Sequence, residues 1–429
     1  MFGKIEISVC YCSHIAENLT CFFDGGKNSE KFSIENYSIF APVFFIYRMD
    51  NFDDIRPYSE AEARQAYYKL MDDKRFQDAI VKCLPDYTID DFRRDFEHWH
   101  SIDEVQIGFD KRFMDVFTKQ FATGLTFSGI ENIDPAQAYL YISNHRDITF
   151  DPAMLQYYFF LEHRRTSKIA IGDNLIATPV LSEFARLNKM FLVLRSGSLR
   201  EKLQNFKRLS AYIQHSLFEE KESVWIAQRD GRTKDGNDYT KQGLVKMVSM
   251  GHDRDLIETL KRMNITPMTI SYEYEPCAQF KARELALSEN GVHYQKRPGE
   301  DFDSIKEGIF GQKGHITLTI GKPLKEELDT IPQDINNNDK LFHVCHLIDK
   351  QIYAAYKLYP NNYIAHDIRD NDERYRDFYT AEEKEKFEQY LERKSVVQDV
   401  ARGKMRTYLL RIYATPVDNH YKQPADRRL

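Results

Sequence analysis

The sequence has few cysteines, no long apolar run and no excess of basic residues, and each shortage excludes a class of protein. Six cysteines are scattered over 429 residues, too sparsely for a disulfide framework, so we expect a reducing, cytoplasmic environment. The longest uncharged apolar run, residues 37–47, is shorter than the roughly 20 residues that a membrane-spanning helix needs. A net charge of -6 argues against a general nucleic-acid-binding protein. With 42% hydrophobic and 29% charged residues, the composition is that of a globular chain.

The first 48 residues show no sustained periodicity and precede a better organised stretch that begins at Met49. We consider two hypotheses: the biological start lies near Met49 and residues 1–48 are extra, or they form a short strand-rich leader. Charged residues occur as early as Lys4 and Glu6, and no long apolar core ends in a small-residue cleavage site. We therefore expect no secretory signal.

Three clusters of histidine and cysteine invite interpretation as metal sites, but their spacing does not support it. Histidines at positions i and i+2 do not share a helix face, and the cysteine spacing matches no common structural zinc site. We interpret the clusters as buried or free thiols and as packing or surface histidines, and expect no metal. The clusters are Cys10-x-Cys12-x-His14 with Cys21, His98-Trp-His100, and His343-x-Cys345-His346.

Capping signals and hydrophobic patterns divide the chain beyond the leader into three regions. Capping boxes at Ser59 and Thr88 predict a helical region over residues 49–123. Over residues 124–335 strand candidates alternate with helical runs, which predicts an α/β domain with a mixed, mostly parallel sheet flanked by helices. Residues 336–429 are predicted to be helical and to pack on the sheet. The strand candidates are residues 125–130, 138–143, 168–171, 190–194, 223–227, 265–274 and 315–320. The helical runs between them lie near 152–163, 179–187, 198–219, 241–263 and 276–288.

The stretch Asn144-His145-Arg146-Asp147, followed by Asp151, places one histidine and two carboxylates in a turn between a strand and an apolar helical run. A neutral imidazole beside a carboxylate suits proton abstraction, because the carboxylate fixes the tautomer and the orientation of the ring. The spacing therefore predicts a general base, with either carboxylate as its partner.

Two further strand candidates end in cations. Residues 190–194 are followed by Arg195, and residues 223–227 run into a charged turn that contains a glycine. Loops at the carboxyl ends of strands are where open α/β sheets bind ligands, and guanidinium groups match phosphate oxygens. These patterns predict a general base beside a phosphate-binding pocket. The charged turn contributes Arg229, Asp230, Gly231, Arg232 and Lys234.

In their order, these blocks resemble the glycerol-3-phosphate and lysophosphatidate acyltransferase superfamily. The resemblance spans about residues 125–325, and it depends on several modest motifs that occur in the right sequence rather than on one strong motif. The matching positions are Asn144-His145 with Asp151, Arg195, Asp230-Gly231-Arg232, Pro267 with Tyr272, and Gly321-Lys-Pro-Leu324.

Two positions depart from the family pattern. Five residues separate His145 from Asp151, whereas the family has four. Asp147 is therefore an alternative partner for the histidine, or a helix cap, although we favour Asp151. The family's glutamate in the third block is Asp230 here, one carbon shorter.

The resemblance implies transfer of a fatty acyl group from acyl-CoA or acyl-carrier protein to a hydroxyl of glycerol 3-phosphate or lysophosphatidate, in phospholipid synthesis. It implies that His145 removes the hydroxyl proton while Asp151, or else Asp147, holds the imidazole, with no covalent acyl-enzyme and no cofactor or metal. It further implies that cationic side chains bind the acceptor phosphate. The candidates are Arg195, Arg232 and Lys234, with Asp230 and Gly231 in the same turn and with Arg229 and Arg146 as further possibilities.

Two other function classes remain open. A thioesterase or lipid hydrolase would use Ser143 or Ser196 with His145, although neither serine lies in a Gly-x-Ser-x-Gly elbow. A non-catalytic protein that binds acyl lipids is the second alternative. Turnover that requires an acceptor would distinguish a transferase from both.

A lipid-modifying enzyme without a membrane span must reach the bilayer peripherally, here from the inner face of the cell membrane. The apolar run at residues 37–47 and the basic helical segment 200–208, with Lys202 and Lys207, are the candidate contact surfaces.

Overall fold

The computed structural model describes residues 51–84, 86–176, 178–251, 255–291, 294–297 and 299–421. From Phe52 onward these residues belong to one compact unit. The hypotheses about residues 1–48, including the cysteine cluster near Cys10 and the apolar run, lie outside the described residues.

Capping side chains determine where the first helices start. The carboxylate of Glu62 accepts the backbone N–H of Ser59 at 2.7 Å, and that of Asp91 accepts the backbone N–H of Thr88 at 2.9 Å, as the predicted capping boxes require. The Ser101 hydroxyl caps the fourth helix by accepting the backbone N–H of Glu104 at 3.2 Å. These helices are α1 (Glu60–Asp72), α2 (Lys74–Cys83), α3 (Ile89–Glu97) and α4 (Ile102–Phe121).

A seven-stranded sheet follows, in the order β1-β7-β6-β2-β5-β3-β4. Every neighbouring pair is parallel except β6 with β7, so the predicted mixed, mostly parallel sheet is confirmed. All seven predicted strands are present. They are β1 (Ala122–Ser128), β2 (Leu140–Ser143), β3 (Lys168–Gly172), β4 (Met190–Val193), β5 (Val224–Ala227), β6 (Ile265–Tyr272) and β7 (Gly314–Ile320).

Helices cover both faces of this sheet. Along β2, Leu140 and Ile142 enter the hydrophobic core on one face, whereas Tyr141 enters the core on the other, because successive side chains of a strand point to opposite sides. The helices are α5 (Phe150–Leu161), α6 (Pro179–Leu187), α7 (Leu199–Phe218), α8 (Gln242–Val248), α9 (Leu256–Arg262), α10 (Ala278–Leu287) and α11 (Glu300–Phe310).

The single helical run predicted over 241–263 is wrong, because two helices, α8 and α9, occupy it. The first helix ends at Val248, and Gly251 in the turn that follows has a φ of +80°, a left-handed conformation that does not continue a helix. The Asp255 carboxylate then caps the second by accepting the backbone N–H groups of Ile257 and Glu258.

The C-terminal segment is helical, as predicted, and its first helix packs on the sheet. Leu341 and Ile348 of that helix are buried in the same core as Leu140 and Ile142 of β2. The later helices build a further core around Tyr413. No helix among the described residues is long and apolar enough to cross a membrane. The C-terminal helices are α12 (Asn337–Ala355), α13 (Pro360–Asp370), α14 (Ala381–Lys394) and α15 (Arg402–Tyr421).

Candidate active site

The parallel strands β2 to β6 bring their carboxyl ends to one edge of the sheet, and His145 lies there, two residues beyond β2. Its Nδ1 is 2.8 Å from Oδ2 of Asp151, a fully buried residue in the first turn of α5. The His145 side chain is 13% exposed and lines a cavity. With Nδ1 engaged by the carboxylate, Nε2 is the ring nitrogen that can accept a proton.

Asp151 is held by three donors besides His145. The backbone N–H groups of Arg146 and Asp147 donate to Oδ2 at 2.5 and 2.9 Å, and the Tyr272 hydroxyl donates to Oδ1 at 2.7 Å. Burial, together with the nearby carboxylates of Asp151 and Asp147, holds the pKa of Tyr272 well above its usual value. Its hydroxyl therefore keeps its proton and remains a donor, so the carboxylate is fixed in orientation and its charge is stabilised.

The structure distinguishes between the two candidate partners of His145, Asp151 and Asp147. Asp147 does not take the place of Asp151: its Oδ1 accepts the backbone N–H groups of Thr149 and Phe150, each at 2.8 Å, at the start of α5. The extra residue between His145 and Asp151 is accommodated in this turn, before the helix begins. Asp147 therefore caps the start of α5 from two residues before the N-cap residue, Thr149, in line with the capping role that the sequence left as an alternative.

Arg146 departs from the sequence prediction, which placed it among the phosphate-binding residues. Its side chain is 1% exposed and forms ion pairs with Asp238 at 2.6 Å and with Glu275 at 2.9 Å. Because the Arg146 side chain points into the protein, its guanidinium is paired with buried carboxylates and does not line the cavity. The phosphate-binding role predicted for Arg146 is therefore wrong, and the side chain instead anchors the loop.

A buried polar network ties that loop to its neighbours. Asp238 accepts a hydrogen bond from Asn144 Nδ2 at 2.9 Å, and Lys281 Nζ donates to the carbonyl oxygen of Arg146 at 2.7 Å. Thr233 N donates to the carbonyl oxygen of His145 at 2.7 Å. The turn after β5 is thereby fixed against the histidine, which explains why the cations of that turn lie beside it.

The cavity at this edge has a volume of about 430 Å³ and combines an apolar interior with a charged rim. Trp225 contributes an aromatic wall, with its ring centroid 5.8 Å from that of His145. The predicted residues that line the cavity are His145, Arg195, Arg229, Asp230, Gly231, Arg232 and Lys234. Apolar lining comes from Ile148, Pro152, Ile169, Ile171, Leu175, Met190, Val193, Phe206, Trp225, Ile226, Leu244 and Met247.

The cationic side chains around the cavity differ in the ion pairs and hydrogen bonds that they already form within the protein. Lys234 forms an ion pair with Glu284, and Arg229 donates to the carbonyl oxygen of Asn237 at 3.2 Å. Arg232 Nη1 is buried and has no hydrogen-bond partner among the described residues, while Arg195 is exposed. Arg195 is consequently the best placed to receive an anion, and Arg232 lines the same cavity although its Nη1 is inaccessible.

Gly231 lies open between these side chains. Its φ is +69°, and no atom lies within 4 Å of the position a Cβ would take. A ligand can therefore approach the backbone of this turn closely, as a phosphate-binding turn requires.

Three lining or positioning residues lie outside the catalytic and phosphate-binding sets predicted from the sequence. Tyr272, which matched the family pattern together with Pro267, supports Asp151 from the end of β6. Lys296 and Asp301 reach the cavity from the segment before α11 and from its first turn. The role of Tyr272 could not be predicted without knowing that β6 lies beside β2. No sequence motif marks Lys296 or Asp301.

The segment that carries the site is also similar to known proteins. Residues 124–271 match the model of a family described as Acyltransferase, a segment that starts in β1 and ends in β6. No curated protein sequence gives a significant match. Among solved structures, the chain is similar to the 1-acyl-sn-glycerophosphate (LPA) acyltransferase PlsC from Thermotoga maritima, at 12% sequence identity and a TM-score of 0.32. That alignment covers 68% of this chain and 95% of the other.

Proposed function

We propose, from the match of residues 124–271 to the Acyltransferase family model, that the chain moves a fatty acyl group from a thioester, acyl-CoA or acyl-carrier protein, to a hydroxyl of a glycerol-phosphate acceptor. Glycerol 3-phosphate and lysophosphatidate are the proposed acceptors. The observation that carries the proposal is the juxtaposition of a carboxylate-oriented imidazole, His145, with the exposed Arg195 and the neighbouring Arg232 around one cavity.

The proposed chemistry needs one base and one anion-binding surface. His145 Nε2 takes the proton from the acceptor hydroxyl as its oxygen attacks the thioester carbonyl. Collapse of the tetrahedral intermediate breaks the carbon–sulfur bond, and the imidazolium returns the proton to the departing thiolate. Asp151 stabilises the imidazolium between these events without itself being protonated.

The phosphate of the acceptor would be bound by Arg195 and Arg232, with Arg229 and the open backbone at Gly231 beside them. Two forked guanidinium groups can hold a phosphate dianion and fix the distance from its hydroxyl to the imidazole. The apolar interior of the cavity, which includes Phe206 and Met247, suits an acyl chain.

The geometry gives less support to a mechanism in which a serine or cysteine of the protein is the nucleophile. Ser143 is fully buried, and among the hydrogen bonds of the described residues neither it nor Ser196 is paired with His145. Burial raises the pKa of Cys277 to about 11, so this thiol stays protonated near neutral pH. Direct transfer to the acceptor is therefore preferred to a covalent acyl-enzyme.

We also propose a peripheral membrane contact at the start of α7. Leu199 is 88% exposed and Leu203 47% exposed, and residues four apart lie on the same helix face. Arg200 and Lys207 belong to the same helix, and Phe206 of α7 lines the cavity. Apolar side chains beside basic ones are suited to an anionic lipid surface, from which an amphiphilic acceptor could enter.

Acyl transfer by the purified protein tests the proposed function. Labelled acyl-CoA and acyl-carrier protein are each offered with glycerol 3-phosphate and with lysophosphatidate, and His145→Ala is compared with the wild type. We expect an acylated product that depends on the acceptor and is lost in the variant, because the base is absent. His98→Ala, at an exposed histidine outside the cavity lining, is the matched control and keeps full activity.

Two results would contradict the proposal. Loss of thioester without an acceptor would identify a hydrolase. Full activity of His145→Ala would remove the histidine from the mechanism.

A further inference from the structure

A second group of chemically suited side chains lies in the C-terminal helices, outside the residues that line the acyltransferase cavity. It consists of His366 and Asp367 near the end of α13, and Asp372 just beyond it. Asn371 has a φ of +52°, and this left-handed residue turns the chain so that Asp372 N donates to the carbonyl oxygen of Asp367 at 3.0 Å. One ligand atom from each of the three side chains lies within 4.8 Å of the others.

His366 supplies an independent sign that a ligand is needed. The residue is 2% exposed, and its Nδ1 has no hydrogen-bond partner among the described residues. This nitrogen lies 3.9 Å from Oδ1 of Asp367, whereas Nε2 lies 3.4 Å from Asp370 and 3.5 Å from Asp418. Nε2 thus has charged neighbours, whereas Nδ1 lies near the carboxylate of Asp367 without a hydrogen bond. Buried nitrogens without a partner are rare in native proteins.

The two carboxylates also lack sufficient positive charge. Asp367 is 3% exposed and accepts hydrogen bonds from Tyr375 N at 3.2 Å and from the Tyr379 hydroxyl at 2.9 Å, neither of which carries charge. Asp372 is half-buried, and its cationic neighbour is Arg374, at 3.3 Å. Two close carboxylates in a poorly solvated position repel each other unless they share a proton or a cation lies between them.

We propose that His366, Asp367 and Asp372 bind a divalent metal ion of the Zn²⁺ or Mn²⁺ class. One imidazole nitrogen and two carboxylate oxygens are ligands that both ions accept, and water completes the coordination shell. The ion would join the end of α13 to the turn that follows it. Because Tyr375 of that turn stacks on Tyr421 of α15, at a centroid distance of 5.4 Å, the ion would hold the C-terminal helices together. It takes no part in acyl transfer.

Metal binding by the full-length protein tests this site. The protein is stripped with a chelator, dialysed, and titrated with ZnCl₂ and with MnCl₂ by calorimetry, and bound metal is counted by elemental analysis. We expect one equivalent at this site, and a higher midpoint of thermal unfolding when metal is present in excess. Asp372→Asn should weaken binding about tenfold or more and abolish that shift, because the ion loses one anionic ligand.

The variant is chosen because Asp372 is only half-buried, so its replacement leaves the packing of the helices intact, which circular dichroism checks. Asp90→Asn, at an exposed carboxylate on α3, is the matched control for the loss of one negative charge and should bind as the wild type does. Failure of the wild type to bind either ion would overturn the proposal. Equal binding by the wild type and Asp372→Asn would do the same, since the metal would then be adventitious.

Discussion

Asp151 receives more hydrogen bonds than its role as a simple partner for His145 requires. Two backbone N–H groups, the Tyr272 hydroxyl and the imidazole all donate to one carboxyl group. Its orientation is therefore set by the loop and by β6 together, so that the imidazole is held in one tautomer before any substrate arrives. Tyr272 acts as a positioning residue in this arrangement.

Replacement of Tyr272 by phenylalanine removes one of these donors without removing the ring. We expect kcat to fall about tenfold to a hundredfold, since a hydrogen bond to a charged group contributes about 1.5–3 kcal/mol. The KM for the acceptor should change little, because the phosphate-binding arginines are untouched. Steady-state kinetics with a saturating thioester measures both constants.

Tyr67→Phe provides the control for that measurement. Tyr67 is also fully buried, and its hydroxyl donates to the carbonyl oxygen of Phe92 at 2.5 Å, in the core of the N-terminal helices. The Tyr67→Phe variant should be less stable than the wild type but should keep the wild-type kcat. If both variants lost kcat equally, the effect would reflect general destabilisation and Tyr272 would have no positioning role.

At the level of helices and strands, the sequence was sufficient to predict the features that depend on local patterns. It was insufficient to predict those that depend on tertiary contacts. Every strand could be predicted, because buried apolar runs alternate with capped helices. Helix α11 was not predicted, because it follows an uncapped glycine, Gly299. The buried ion pairs of Arg146 could not be predicted either, since Asp238 and Glu275 are about 90 and 130 residues away along the chain.

The first turns of α7 are the element whose surface role can be tested separately. Leu199→Glu with Leu203→Glu should abolish sedimentation with vesicles that contain anionic lipid, because burying each leucine contributes about 1.5–3 kcal/mol and the added charges repel the surface. Turnover of a short-chain, water-soluble acceptor should persist. A co-sedimentation assay and a soluble-substrate assay provide the two readouts.

Leu161→Glu with Val396→Glu gives the same change of charge at two other exposed apolar positions, which are 44% and 62% exposed. This control should bind vesicles as the wild type does. Undiminished binding by the α7 variant would show that the membrane contact lies elsewhere.

For the molecule as a whole, the segment matched by the family model and α12, the first of the C-terminal helices, share one hydrophobic core. Val344 and Ile348 of α12 are completely buried in the cluster that contains Ile142 of β2. The segment matched by the family model ends at residue 271, so part of the core that supports the site lies beyond it. We expect residues 336 onward to be required for a stable fold.

Ile348→Ala measures that dependence. A cavity at a fully buried isoleucine should lower the free energy of unfolding by about 2–5 kcal/mol, and the sheet and α12 should unfold in one transition. Denaturant unfolding followed by circular dichroism and by tryptophan fluorescence checks both points in a Trp99→Phe background, where Trp225 is the remaining tryptophan and reports on the sheet. Two separate transitions would contradict a shared core.

The reversal of direction between β6 and β7 has a practical consequence. Because β7 runs against β6, the Gly321–Leu324 motif leaves the sheet beside Ile265 and Pro267, at the edge opposite His145. A Cβ at Gly321 would approach the carbonyl oxygen of Pro267 to 2.8 Å, so this glycine is needed for close backbone contact and not for the reaction. Lys322, exposed in the same turn, is accordingly a suitable attachment point for a fluorescent label or an immobilising surface that leaves the entrance to the cavity free.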